Sequence, residues 1–276
     1  MKFVLQLLAV TAVAVLGNLA LQAVDGSPWP ALAVGVAVAG LAVVAYRQVV
    51  RATERRSVAE LAWPGAARAA GRGAVAGVAL FAAAIGIIAA FGGYQITGLG
   101  SAAGAVGLIG LMCAAAVTEE LIFRGVLFRW VEVATGTWCA LVLTGSLFGL
   151  VHLLNPHASL WGAVAIAVEA GGMLTAAYIA TRSLWLPIGL HFGWNAAASA
   201  LFSTEVSGNN TPQGLLDAAT SGPMLLTGGD FGPEGSIFAV LFCGLATLAF
   251  LRLAARRGNI VSFRAARGTA RAKVAQ

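Results

Sequence analysis

Long apolar runs, most of them close to 20 positions, dominate the chain and are separated by short polar or glycine-rich intervals. They are continuously apolar and do not alternate at every second position as barrel strands would. They are also long enough to cross a hydrocarbon layer as helices. Eight spans are predicted, at 3–23, 29–50, 74–96, 101–123, 137–154, 159–181, 184–203 and 235–254. The expected fold class is therefore all-α, a polytopic transmembrane helical bundle. Trp29, Trp138, Trp161 and Trp185 fall at span ends, where an amphipathic ring prefers the membrane–water interface. No internal repeat is visible, and abundant Ala and Gly suit close helix approach in lipid.

Composition excludes a soluble domain. Of the 276 residues 59% are hydrophobic and 10% charged, with a mean hydropathy of +0.86. One soluble core of this length cannot hide that much apolar surface. Charge then orients the spans. With the N-terminus placed inside, all 17 Lys and Arg residues fall on the inner segments. The outer loops carry Asp25, Glu205, Asp217, Asp230 and Glu234 instead. Retention of basic residues on the cytoplasmic side predicts that both termini are cytoplasmic. The net charge of +6 reads as topology and attraction to anionic headgroups of the lipid bilayer, with no nucleic acid partner. Residues 1–23 resemble a signal peptide in having Lys2 before an apolar run and small residues at Ala20 and Ala23, but a retained first helix fits the same topology. Cys113, Cys139 and Cys243 have no paired spacing and read as small apolar packers. The preference for Arg over Lys, with heavy Ala and Gly use, points to a GC-rich bacterial genome and so to a bacterial cytoplasmic membrane.

The chain divides into N-terminal helices over 1–100, with a basic connector at 51–73, and a helical core over 101–203. An outside loop and last helix follow over 204–254, then a basic tail over 255–276 that is mobile or lies on the headgroups. The loop at 204–233, rich in Gly, Pro, Asn and Thr, reads as irregular with room for a short helix.

Ionisable groups inside apolar spans are costly and face an interior cavity, so each one is a functional candidate. They are Glu119, Glu120 and Arg124 at the end of the fourth span, His152 in the fifth, Glu169 in the sixth, and His191, with the polar Asn195, in the seventh. Glu120 and Arg124 are one helical turn apart and can neutralise each other. Glu119 lies about 100° round the helix, lacks a local partner, and could exchange protons with water. Phe148 and His152 share a helix face, as do His191 and Asn195. Thr135-Gly136 makes a tight turn between spans four and five. Glu119 and His152 each lie 16 residues from it, about 24 Å along antiparallel helices, and so at the same depth. His191 lies only about 10 Å past the inner end of its span, which is reconciled if the hairpin of spans four and five projects into the cytoplasm. Glu169 lines the cavity or bonds a neighbour, with Gly171 and Gly172 permitting close approach beside it. His157 reads as a solvated loop residue.

Glu119-Glu120-x-x-x-Arg124, then Phe148-x-x-x-His152, then His191-x-x-x-Asn195, in this order on successive helices, resembles the CAAX-protease and bacteriocin-processing family of membrane peptidases. The flanking Phe-Arg-Gly, Phe-Gly-Leu-Val-His and Leu-Trp-Leu-Pro-Ile-Gly-Leu-His contexts add to the likeness, which covers roughly 105–200. The resemblance implies an intramembrane endopeptidase. Glu119 would activate water with the help of His152, His191 and Asn195 would stabilise the oxyanion, and Glu120, Arg124 and Phe148 would support them. Glu119, His152 and His191 could also hold zinc as a His₂Glu site, although no His-Glu-x-x-His is present, so no cofactor is certain.

The expected substrate is a peptide or small membrane-associated protein, reaching the site from the cytoplasmic side or laterally from lipid. Secreted or signalling peptides, bacteriocins and membrane-anchored regulators all fit. Two other classes remain open: a non-catalytic immunity or binding protein of the same fold, and a small proton-coupled transporter.

Overall fold

The computed structural model describes residues 1–263; Arg264, Arg267, Arg271 and Lys273 of the basic tail lie outside the described residues. The long helices are α1 (Lys2–Ala23), α2 (Pro28–Glu54), α3 (Ala66–Ala90), α4 (Ala102–Thr135), α5 (Thr137–Leu154) and α6 (Leu160–Thr181). They are followed by α7 (Trp185–Ala196, prolonged by π-helical turns over Ala197–Leu201) and α8 (Ile237–Arg256). Seven of these, all but α7, are long and apolar enough to cross a membrane. Their outer faces expose Leu16, Val75, Val142 and Leu241 among many others. Such an apolar exterior belongs in lipid, and the chain is an integral membrane protein.

Three expectations about these elements need correction. The third helix begins at Ala66 and ends at Ala90, not at 74 and 96, so Arg68, Arg72 and Gly73 are helical and the connector shrinks to about 55–65. Gly92, at φ +77°, and Gly93 end that helix, and Tyr94–Leu99 forms strand β1. β1 pairs antiparallel with β2 (Leu216–Thr220), from the loop expected to be irregular. Finally, residues 257–263 do not hang free. Asn259 donates to the carbonyls of Ile179 and Ala180, and Val261 N donates to Thr137 Oγ1.

The expected turn at Thr135-Gly136 is present, with α4 running unbroken to Thr135. Serines start three helices at the loop-bearing end. Ser101, Ser159 and Ser236 accept from Gly104, Gly162 and Ala239 amides and satisfy otherwise orphaned donors.

Helices in lipid gain little from burying apolar surface against one another, so close backbone contact matters more. α3 and α7 meet through glycines on both sides. A Cβ on Gly73 or Gly77 would lie 2.3 or 2.2 Å from the Leu186 or Leu190 carbonyl oxygen. One on Gly189 or Gly193 would lie 2.0 or 2.1 Å from that of Ala70 or Ala74. This contact fixes α7, and with it His191 and Asn195.

At the basic end, Arg129 bonds Glu54 (2.5 and 2.8 Å) and Gln6 (3.0 Å), while Arg56 bonds both Glu54 and Glu60. Tyr46 Oη lies 2.7 Å from Glu60 Oε1 and 2.9 Å from the Gly125 carbonyl. This network ties α1, α2, the connector and α4 together. Burial works to raise the Glu60 carboxyl, but hydrogen bonds from Arg56 and Tyr46 outweigh it and hold the group below its ordinary range.

Two outcomes follow for stability. Gly193→Leu should destabilise the protein by about 1–3 kcal/mol through overpacking. Gly86→Leu, where nothing lies within 4 Å of the added carbon, should be near neutral. Thermal unfolding in detergent distinguishes the two. Because Glu60 is lowered on folding, its contribution is complete above roughly pH 5 and is lost as pH falls through the lowered value. Glu60→Gln should therefore cost melting temperature at pH 7, with the deficit shrinking on acidification; a deficit that grows would contradict the assignment.

Candidate active site

The polar side chains singled out in the sequence converge where three helices depart from regular α geometry. π-helical turns run over Leu121–Phe128 in α4, Ala167–Leu174 in α6 and Ala197–Leu201 in α7. Such turns widen a helix by one residue and recur at functional sites.

At the centre lies the Glu120–Arg124 ion pair, 2.7 Å long, with the side chains 0% and 1% exposed. All three guanidinium nitrogens are engaged. Nη1 donates to Glu120 Oε1, Nε to Thr175 Oγ1 at 3.1 Å, and Nη2 to the Ala170 carbonyl. The guanidinium lies 4.7 Å over the Phe148 ring. α4, α5 and α6 are thereby joined through one side chain. α7 joins through His191, whose Nδ1 donates to the same Glu120 oxygen at 3.0 Å. That bond sends the other face of the ring, Nε2, to within 3.9 Å of Glu119 Oε2. The separation is beyond a direct hydrogen bond but short enough for charge interaction. Glu119 therefore has a partner across the helix interface, which its own helix did not offer.

His152 is oriented by its own helix. Its Nδ1 lies 2.7 Å from the Phe148 carbonyl, which can only accept, so Nδ1 carries the hydrogen. In the neutral ring Nε2 is then a bare acceptor. Asn195 is buried, and its side-chain amide makes no hydrogen bond among the described residues.

These groups share a cavity of about 460 Å³ lined by Glu119, Phe148, His152, Glu169, His191 and Asn195. Glu120 and Arg124 lie behind its wall. Glu119 and His152, expected at one depth from the Thr135-Gly136 turn, line the same cavity.

Several lining residues had no motif to reveal them: Asn18 and Gln22 on α1, Ser207 and Asn210 in the loop, and Glu234. Asn18 and Gln22 are one turn apart on the last, otherwise apolar turns of α1, and that spacing was the available signal. Glu234, expected to be a loop acid, is 2% exposed. It accepts from Trp194 Nε1 (2.8 Å), Ser207 N (2.6 Å) and Ser207 Oγ (2.8 Å), so it holds the loop against α7. His157 is exposed, as expected, and contacts Asn210 Oδ1 at 2.6 Å. The loop residues on the cavity wall all come from 206–212 and Glu234, and none from the connector or from 182–184.

The three donors considered for zinc, Glu119, His152 and His191, do not gather into a metal-holding set, and no group of three or more His, Cys, Asp or Glu does so among the described residues.

A bundle of membrane-length helices closing around Glu, His and Asn side chains defines a polytopic membrane protein with a buried polar centre. Residues 101–197, the stretch that supplies all four of these side chains, match the model of the family described as Type II CAAX prenyl endopeptidase Rce1-like. The chain carries a domain of that family. No curated protein and no solved structure matches it.

Arg124→Met would take the guanidinium from the buried Glu120 carboxylate and should cost about 3–5 kcal/mol of stability. The double variant Glu120→Gln/Arg124→Met should recover part of that loss. A double-mutant cycle from denaturant unfolding in detergent reads the coupling directly.

Proposed function

We propose that the protein is an intramembrane endopeptidase that hydrolyses a peptide bond with a water activated by Glu119 and His152. The observation that carries this reading is the convergence of Glu119, His152, His191 and Asn195 on one cavity, with His191 Nε2 and Glu119 Oε2 3.9 Å apart.

Amide hydrolysis needs a base, a water and donors for the oxyanion in a confined site. Glu119, with one third of its side chain exposed, meets water in the cavity and takes its proton. The bare Nε2 of His152 holds the same water by accepting its second hydrogen. The hydroxide adds to the scissile carbonyl, and the resulting oxyanion accepts from the Asn195 amide and His191 Nε2. With Nδ1 given to Glu120, His191 Nε2 donates as the imidazolium, and Glu120 and Glu119 flank the ring to balance that charge. Glu119 then returns its proton to the leaving nitrogen as the C–N bond breaks. Glu120, Arg124 and Phe148 hold the ring of His191 in place.

The positive-inside pattern supports cytoplasmic termini, in a bacterial cytoplasmic membrane. On that topology the cavity is walled by the outer loop and the outer end of α1. The lining by these residues supports access from the outer face, where the sequence reading expects entry from the cytoplasmic side or laterally from lipid. The substrate is a peptide or a small membrane-associated protein.

Proteolysis of quenched peptides by the full chain in liposomes tests this reading. Glu119→Ala and His152→Ala should each lower turnover by about 10²-fold or more. Cleavage that survives Glu119→Ala would remove the proposed base. A folded wild-type protein that cleaves nothing across a broad library would favour the binding or immunity role. A chelator arm reads whether a metal takes part.

A further inference from the structure

The catalytic reading leaves a buried carboxyl of the cavity wall without a role. Glu169, on the π-helical turn of α6, lines the cavity, is 2% exposed, and has both carboxylate oxygens without a hydrogen-bond partner among the described residues. Its neighbour in sequence, Ala170, gives its carbonyl to Arg124, but that guanidinium is already committed to Glu120 and Thr175 and does not reach Glu169. Glu234 lines the same cavity and is close enough to Glu169 for their charges to interact. Glu234 is held by three donors from Trp194 and Ser207, so its position is set. With Glu119, the cavity wall holds three carboxyl groups, the imidazoles of His152 and His191, which the mechanism uses, and no Lys or Arg.

An ionised carboxylate buried without a partner is costly, and a wall of like groups raises that cost. A cationic group arriving with a ligand would supply the partner that the fold leaves out. We propose that Glu169, backed by Glu234, forms a subsite for a cationic nitrogen of the peptide substrate, either a Lys or Arg side chain or a free amino terminus. This rests on the peptidase reading. It adds to that reading that the enzyme selects basic peptides, with Glu169 as the specificity-determining residue. The charge pairs only when a cationic group occupies the subsite, so a neutral isostere would leave the carboxylate buried and alone.

The test compares peptides that differ only in charge. Full-length protein in liposomes is given quenched peptides carrying Arg or its neutral isostere citrulline, each with a free or an acetylated amino terminus. The expected result is a preference of about 30-fold or more in kcat/KM for the cationic peptide, as loss of one partner of a buried charge pair produces. Which of the two nitrogens matters identifies the source of the charge. In Glu169→Gln the Arg-to-citrulline ratio should collapse towards one. In parallel, binding of the same labelled peptides to Glu119→Gln, read by fluorescence anisotropy, reports on the subsite without any turnover. Equal handling of charged and neutral peptides by wild type, or a preference that survives Glu169→Gln, overturns the subsite while leaving the peptidase intact. Charge-selective binding with no cleavage by wild type supports the subsite and sinks the peptidase reading instead. Binding that is indifferent to charge overturns the subsite even where nothing is cleaved.

Discussion

The rest of the structure depends on a buried ion pair. Glu120 and Arg124 sit where almost no water reaches, and neither is tenable there without the other. Removing the pair from water is costly, and the surroundings answer that cost with further contacts. They are a carbonyl and a hydroxyl from α6, the Phe148 ring from α5, and the His191 ring from α7. Four helices are thereby registered against one another at one depth. The same bond that His191 gives to Glu120 turns its free nitrogen towards Glu119. The orientation of the proposed oxyanion donor is thus a consequence of the ion pair.

Glycine contacts do for distance what the ion pair does for register. α7 lies so close to α3 that the backbones touch, and Gly171 approaches the backbone of Gly145 between α5 and α6 in the same way. Where the polar centre needs extra room, α4, α6 and α7 each admit a π-helical turn.

The loop between α7 and α8 completes the wall. Glu205 gathers the amides of Val206, Asn209 and Thr211, while Glu234 fastens Ser207 to Trp194 on α7. The β1–β2 ribbon pins the far part of the same segment to the end of α3. Acids that the charge pattern assigns simply to the outer side thus have two separate roles. Some shape the loop, and one, Glu234, is drawn into the cavity.

Much of this was legible in the chain. Membrane-length helices follow from uninterrupted apolar runs, because a bilayer tolerates few other structures and the signal repeats along each span. The Glu120–Arg124 pair followed from helical spacing, and equal distances to the Thr135-Gly136 turn already suggested bringing Glu119 and His152 together, since both are local arithmetic on a regular helix. Tertiary structure decided the rest. The approach of His191 to Glu119 and Glu120, the burial of Glu234, the β1–β2 pairing and the π-helical turns all join residues distant in sequence or depart from regular geometry. Periodicity encodes what a helix does by itself. Which partners its faces meet, and where its turns must widen to receive them, depends on the other helices being present.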